Sequence, residues 1–206
     1  MKRLYLLRHG QTEFNVKKLV QGRCDSPLTD LGRHQAQAAA TWLKAHDVVP
    51  DKVISSPLGR AMDTASLVAT ELLGPSAAVE PCEGIIERGY GTFEEGPHDA
   101  LPTDVWDPGE ELVPFGGEGS HALQERMVGT LTNLMGAKGI ETLLAVSHGS
   151  ASRQFIKAAA PEGFELPAKL PNCAIMIFDF DDAREEDDAP QCKFTLQQIV
   201  DPQQSH

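Results

Sequence analysis

At 206 residues, the chain is the length of one domain with a core of its own, so no second domain is required. Hydrophobic residues make up 41% of it, too many for a disordered chain. Lys and Arg number 18 against 30 Asp and Glu, a formal net charge of -12. That balance argues against a general basic face for DNA, RNA or an anionic membrane, since such faces act through counterion release by Lys and Arg.

In chain order, Arg3 to Leu7 is a short apolar run ending at Arg8-His9-Gly10, a strand feeding a loop. The run is too short for a signal peptide, and no apolar stretch approaches the ~20 residues that span a bilayer. A cytoplasmic protein is the expectation. Thr29 is placed to cap a helix from Asp30 to about His46, ahead of Pro50. Val53-Ile54-Ser55 reads as a second strand closed by Pro57. From Leu58, the residues Met62, Ala65, Val68 and Leu72 recur at helical spacing until Gly74-Pro75 stops them. Residues 94–119 hold four prolines and little periodicity, which reads as a lid-like excursion over one face. Leu123, Met127, Leu131 and Leu134 mark a further helix, and Leu143 to Val146 a strand that ends at Ser147-His148-Gly149. A helix from Ser150 to Ala160 follows. Ala174 to Asp179 and Phe194 to Val200 read as an antiparallel edge hairpin, its acidic loop (179–192) a solvated tip.

Helices alternating with apolar strands predict parallel strands covered on both faces: an α/β fold, a three-layer α/β/α sandwich with a mostly parallel central sheet, in a single domain over 1–206. Cys24, Cys82, Cys173 and Cys192 form no C-x-x-C pair and are expected to be reduced thiols. The 7 histidines do not cluster with them at ligand spacing, so zinc is not expected.

Three polar groups fall just beyond strand ends: Arg8-His9, Arg60 and His148. In an open parallel sheet, ligands bind outside the carboxyl ends of the strands. Two arginines beside two histidines suit a phosphoryl group. Arginine offers fixed planar donors to its oxygens, and a neutral histidine can attack phosphorus and carry the group covalently. Singly, each has a plainer reading: Arg-His-Gly a surface turn, His148 a satisfied buried histidine, Arg60 a solvated helix residue. Their equivalent topological positions make the set stronger than its parts.

The run Leu7-Arg8-His9-Gly10-Gln11-Thr12-Glu13-Phe14-Asn15 resembles the signature of the histidine phosphatase superfamily, the phosphoglycerate-mutase-like proteins. The likeness continues through Gln21-Gly22-Arg23-Cys24-Asp25-Ser26-Pro27-Leu28-Thr29-Asp30-Leu31-Gly32, Ser55-Ser56-Pro57-Leu58-Gly59-Arg60-Ala61, Glu87-Arg88-Gly89-Tyr90-Gly91 and Val146-Ser147-His148-Gly149. It implies a phosphoglycerate-mutase-like fold with His9 as the nucleophile that becomes phosphorylated. Arg8, Arg60 and His148 would clamp the phosphoryl oxygens. Glu87 would protonate the leaving oxygen and then serve as base for water; its plainer reading is a surface carboxylate paired with Arg88. Asn15, with Thr12, Gln21, Gly22 and Gly149, falls in the phosphate- or substrate-binding set. The resemblance calls for no cofactor and no metal, two arginines standing where other sites use a cation.

Family mutases that resemble this chain carry extra Lys and Arg after the acid. Here none lies between Arg88 and Arg126, while Glu94, Glu95, Asp99, Asp104, Asp107, Glu110, Glu111 and Glu118 do. An acidic lid would repel a second anionic group. The expectation is therefore a phosphomonoester hydrolase acting on a small metabolite phosphate such as a sugar phosphate. A cofactor-dependent phosphoglycerate mutase is the alternative, and a non-catalytic phospho-ligand binding module a second one. Phe93, Trp106 and Phe115 either line an apolar pocket or pin the excursion, and His98 and His121 are spare donors. The oligomeric state stays open, a homodimer included.

Overall fold

A computed structural model describes residues 1–161, 163–182 and 193–204. Its strands are β1 (Lys2–Arg8), β2 (Lys52–Ser55), β3 (Glu80–Pro81), β4 (Thr142–Ser147), β5 (Ile175–Phe180) and β6 (Phe194–Val200). Its α-helices are α1 (Glu13–Lys17), α2 (Asp30–Ala45), α3 (Gly59–Leu73), α4 (Ser120–Met135) and α5 (Gly149–Ala159). The strands form one sheet in the order β3-β2-β4-β1-β5-β6. Those from β3 to β1 are parallel, and β5 and β6 run antiparallel.

Strand side chains alternate between faces, and both faces here are apolar. Leu4, Leu6, Leu143 and Ala145 share one core with Leu123, Met127 and Leu131 of α4 and Phe155 of α5. Tyr5, Leu7, Leu144 and Val146 share the other with Ala36, Ala39 and Leu43 of α2 and Ala61, Ala65 and Val68 of α3. Each fully buried Leu or Phe contributes roughly 1.5–3 kcal/mol, so a strand apolar on both faces is fixed at the centre of the sheet. The result is the three-layer sandwich of the phosphoglycerate-mutase-like fold.

The Thr29 hydroxyl caps α2 by accepting from Gly32 N at 3.0 Å, and α3 stops at Gly74 with φ 93. Two local features go beyond the expectation. The antiparallel hairpin lies at one edge as expected, with β5 pairing inward to β1 and β6 outermost; the opposite edge is the two-residue β3. Residues 13–17 also form α1, too short to show a period, closed by a reciprocal cap between Thr12 and Asn15. Of the acidic loop, 183–192 and with it Cys192 lie outside the described residues; Asp179 pairs with Arg3 at 3.0 Å and Asp182 with Lys2 at 2.7 Å. Cys24, Cys82 and Cys173 are free thiols. Among the described residues no helix is long and apolar enough to cross a membrane.

Candidate active site

Register brings the predicted residues together. Arg8 lies opposite Ser147, and Ser55 opposite Val146. The chain therefore leaves β1, β2 and β4 at the same edge of the sheet, delivering His9, Ser56 and His148 side by side. The His9 and His148 rings sit 5.1 Å apart at 60°. A cavity of about 60 Å³ is lined by Arg8, His9, Asn15, Gln21, Gly22, Arg60, Glu87 and Gly149.

His9 Nδ1 lies 2.7 Å from the Gly10 carbonyl. A carbonyl only accepts, so Nδ1 holds the proton and Nε2 keeps its lone pair. Burial, then the charges of Arg60 and Arg8, hold the ring well below the ordinary histidine range, so it is a neutral nucleophile. His148 is shifted the same way, by burial and then by Arg60, His9 and Arg8, with its Nε2 2.7 Å from Ser56 Oγ.

These shifts set a pH dependence of stability. In the unfolded chain both rings take up protons as the pH falls through about 6.5, whereas the folded rings stay neutral. The unfolded state then binds more protons, so stability is full above that pH and declines below it, by up to about 1.4 kcal/mol per pH unit for each ring. A thermal melt series from pH 7.5 to about 5 should show a steadily falling midpoint; an unchanged midpoint would contradict neutral, buried rings.

The arginines are held by backbone carbonyls. Arg60, only 1% exposed, donates from Nη2 to Gly22 O at 2.7 Å and from Nη1 to Cys24 O at 2.7 Å. Asp25 both pairs with Arg60 at 3.3 Å and accepts from the Gly59 N–H at 2.6 Å, capping α3 from a distant loop. Arg8 donates from Nη1 to Leu170 O; burial pulls it down to about 10, against the opposing pull of Glu87, so it stays charged at neutral pH. Arg8 Nε, Arg60 Nε and His148 Nδ1 are buried without a protein partner. Such orphaned polar atoms are costly, and their occurrence in one cluster suits an anion with several acceptor oxygens.

Glu87 does not sit on the surface with Arg88. It is 8% exposed and accepts backbone N–H bonds from Arg88 at 2.8 Å, Ser150 at 3.2 Å and Ala151 at 2.8 Å. The last two belong to the first turn of α5, whose own N-cap, His148, offers no side-chain bond. A carboxylate from another segment thus caps the helix. The fully buried Arg88 turns away and binds Ser150 Oγ (2.9 Å), Ser120 Oγ (2.8 Å), Glu118 O (2.7 Å) and Gly109 O (3.2 Å).

Arg88 thereby ties the excursion over 94–119 to the body, and the excursion's acids add further ties. Glu118 meets Arg126 with both oxygens, at 2.9 and 2.8 Å; Asp107 binds Gln154 and Lys157; Glu94 accepts the N–H groups of Arg23 and Tyr90. The expected acidic lid is corrected in this respect: Glu87 is the carboxylate among the cavity-lining residues, and the excursion's acids are not. Trp106 lines the cavity, its ring 5.0 Å from the Arg8 guanidinium. A Cβ on Gly149 would stand 2.7 Å from Trp106 Cζ3, so glycine there admits the indole. Phe93 and Phe115 pair with each other at 5.1 Å instead. His98 lines the cavity, whereas His121 is exposed beside Glu125.

Of the site residues singled out in the sequence, His148 and Thr12 stand outside the lining: His148 lies fully buried against the His9 ring, and Thr12 turns elsewhere. Also fully buried, Thr12 caps α1 and donates to Gln21 Oε1 at 2.9 Å. Tyr90, Ser150, Leu19, Val20 and Val105 join the lining unannounced; Tyr90 had a signal in its place three residues after Glu87, the apolar ones none.

A crevice at the carboxyl edge of a parallel sheet, with a neutral buried histidine between two arginines, has the architecture of a phosphoryl-transfer enzyme. The chain belongs to the histidine phosphatase superfamily, whose branch 1 family model matches residues 4–188. It is 31% identical over 191 residues to a probable phosphoglycerate mutase of Photorhabdus laumondii subsp. laumondii, covering 87% of this chain and 86% of that one. Over 158 residues it is 31% identical to a broad-specificity phosphatase of Saccharomyces cerevisiae, covering 75% and 69%. A solved phosphoserine phosphatase of Entamoeba histolytica superposes with a TM-score of 0.74 at 26% identity, covering 98% of each chain.

Proposed function

We propose that the protein is a phosphomonoester hydrolase working through a phosphohistidine on His9, with a small metabolite phosphate, sugar phosphates included, as substrate. The carrying observation is the cavity lining, whose cations are Arg8 and Arg60 with no lysine or further arginine. Beyond them stand Leu19, Val20, Val105 and Trp106. Two arginines serve one phosphoryl group; a mutase must also hold a second anionic group on the same substrate, and beyond the arginines the described lining offers it only His98, which burial, with Lys169 and Lys18, holds below the ordinary histidine range. The phosphatase names among the relatives support the reading.

His9 Nε2 attacks phosphorus, forming the P–N bond as the bond to the leaving oxygen breaks, and Glu87 gives that oxygen its proton. Arg8, Arg60 and His148 offset the charge spread over the phosphoryl oxygens. Glu87, now a carboxylate, takes a proton from water; the water oxygen attacks phosphorus, phosphate leaves, and His9 returns to its neutral form. No step calls for a metal. A panel of phosphomonoesters with chelator present, run beside 3-phosphoglycerate with its bisphosphate primer, tests the proposal. Phosphate release across the panel with slow isomerisation is the expected result. Isomerisation outpacing every hydrolysis would overturn it in favour of a mutase, and an inert panel in favour of a binding module.

A further inference from the structure

The turn before β5, residues 170–173, grips the end of β1. Besides the Leu170 carbonyl on Arg8, the Cys173 N–H reaches Arg8 O at 3.1 Å and His9 O at 3.3 Å. Asn172 Nδ2 lies 3.0 Å from His9 O and 3.3 Å from Asn15 Oδ1. Cys173 adopts φ 58, the left-handed region that a residue with a Cβ enters only under constraint. Asn172 is itself anchored: its carbonyl accepts from Gln203 Nε2 at 3.2 Å, and Gln203 Oε1 accepts from Gln35 Nε2 at 3.0 Å.

The direction of these bonds fixes two amides in turn. The His9 carbonyl can only accept, so Asn172 must present its NH₂ group. That group also faces Asn15, which must then present Oδ1. The Thr12 backbone N–H, 3.1 Å from the same Oδ1, imposes the same orientation. Both lone pairs of the Asn15 oxygen are thereby used, and the end left to serve the cavity, which Asn15 lines, is Nδ2, a donor. A flipped Asn15 would set its NH₂ against two donors and offer an acceptor to an anion.

We infer that Asn172 is a positioning residue that acts through Asn15, holding it as a donor to the phosphoryl group. The inference rests on the phosphoryl-binding reading of the cavity, but not on turnover. It carries function into the carboxy-terminal part of the chain, which holds no recognisable motif.

A double-mutant cycle tests it, using calorimetric binding of inorganic phosphate and kcat/KM on an aryl phosphate, on wild type, Asn15→Ala, Asn172→Leu and the double variant. Each single change should weaken both readouts by roughly 10- to 100-fold, as for a lost hydrogen bond to a charged group. In the Asn15→Ala background, Asn172→Leu should cost less than about threefold, because its route of action has been removed. Asn172→Ala replaces Asn172→Leu if the latter does not fold. Additive losses would overturn the inference and reduce Asn172 to a structural residue. A wild type that binds phosphate without hydrolysing any ester would sink the hydrolase proposal while the binding cycle still decides this one; failure of wild type to bind phosphate would end both.

Discussion

Replacing His9 by alanine is expected to lower kcat/KM by about 10⁴-fold or more, the scale set by losing a covalent nucleophile. The argument rests on tautomer and charge together. The Gly10 carbonyl occupies Nδ1–H, so the lone pair is on Nε2, and burial beside two arginines keeps the ring neutral. An imidazole in this state needs no general base to become a nucleophile, so its removal leaves only water, a far weaker nucleophile, to attack phosphorus. Folding should survive: the ring makes one side-chain hydrogen bond, to a neighbouring backbone carbonyl, and its removal opens the cavity rather than the core. Steady-state kinetics with a thermal melt on the same preparation checks both halves. Activity within tenfold of wild type in a folded His9→Ala protein would remove the covalent route.

The second large effect falls on Glu87. Glu87→Gln should cost roughly 10²- to 10⁴-fold on alkyl phosphates, the usual contribution of general acid catalysis, and far less on aryl phosphates whose leaving oxygen departs without a proton. Glutamine keeps the shape, so its oxygen can still accept from the first turn of α5, while its NH₂ group opposes one of the three N–H donors now meeting the carboxylate. The cost in stability should be about 1–3 kcal/mol, that of one buried donor left unsatisfied. A plot of kcat/KM against leaving-group acidity for both proteins separates the roles. A steeper dependence in Glu87→Gln marks a proton donor, whereas parallel lines would mark a residue that merely caps the helix.

What the sequence made legible was whatever depends on period and position. Unbroken apolar runs from Leu4 to Leu7 and Leu143 to Val146 point to strands covered on both faces, and the polar residues just after them are expected to meet because parallel strands end at one edge. Features that depend on side chains reaching across irregular backbone were not legible. Arg88 looked like the partner of Glu87, but the carbonyls of Gly109 and Glu118 that receive it are placed by an excursion without periodicity. The acids of that excursion read as a repelling lid because a sequence shows their charge and not their partners; Arg126 takes up Glu118, Lys157 takes up Asp107, and backbone N–H groups take up Glu94, Asp104 and Glu110. Thr12 lies in the signature run yet spends its hydroxyl on α1 and Gln21. Asn172 gave no signal, since its role follows from a turn in which Cys173 takes a positive φ.

The stereochemical course at phosphorus tests the phosphohistidine proposal most directly. Hydrolysis of a substrate made chiral at phosphorus with oxygen isotopes would report it, regardless of how briefly any intermediate lives. Two in-line displacements, first by His9 and then by water, predict net retention of configuration. Net inversion would mean that water attacks the ester in a single step, and would contradict a phosphoryl group carried on His9.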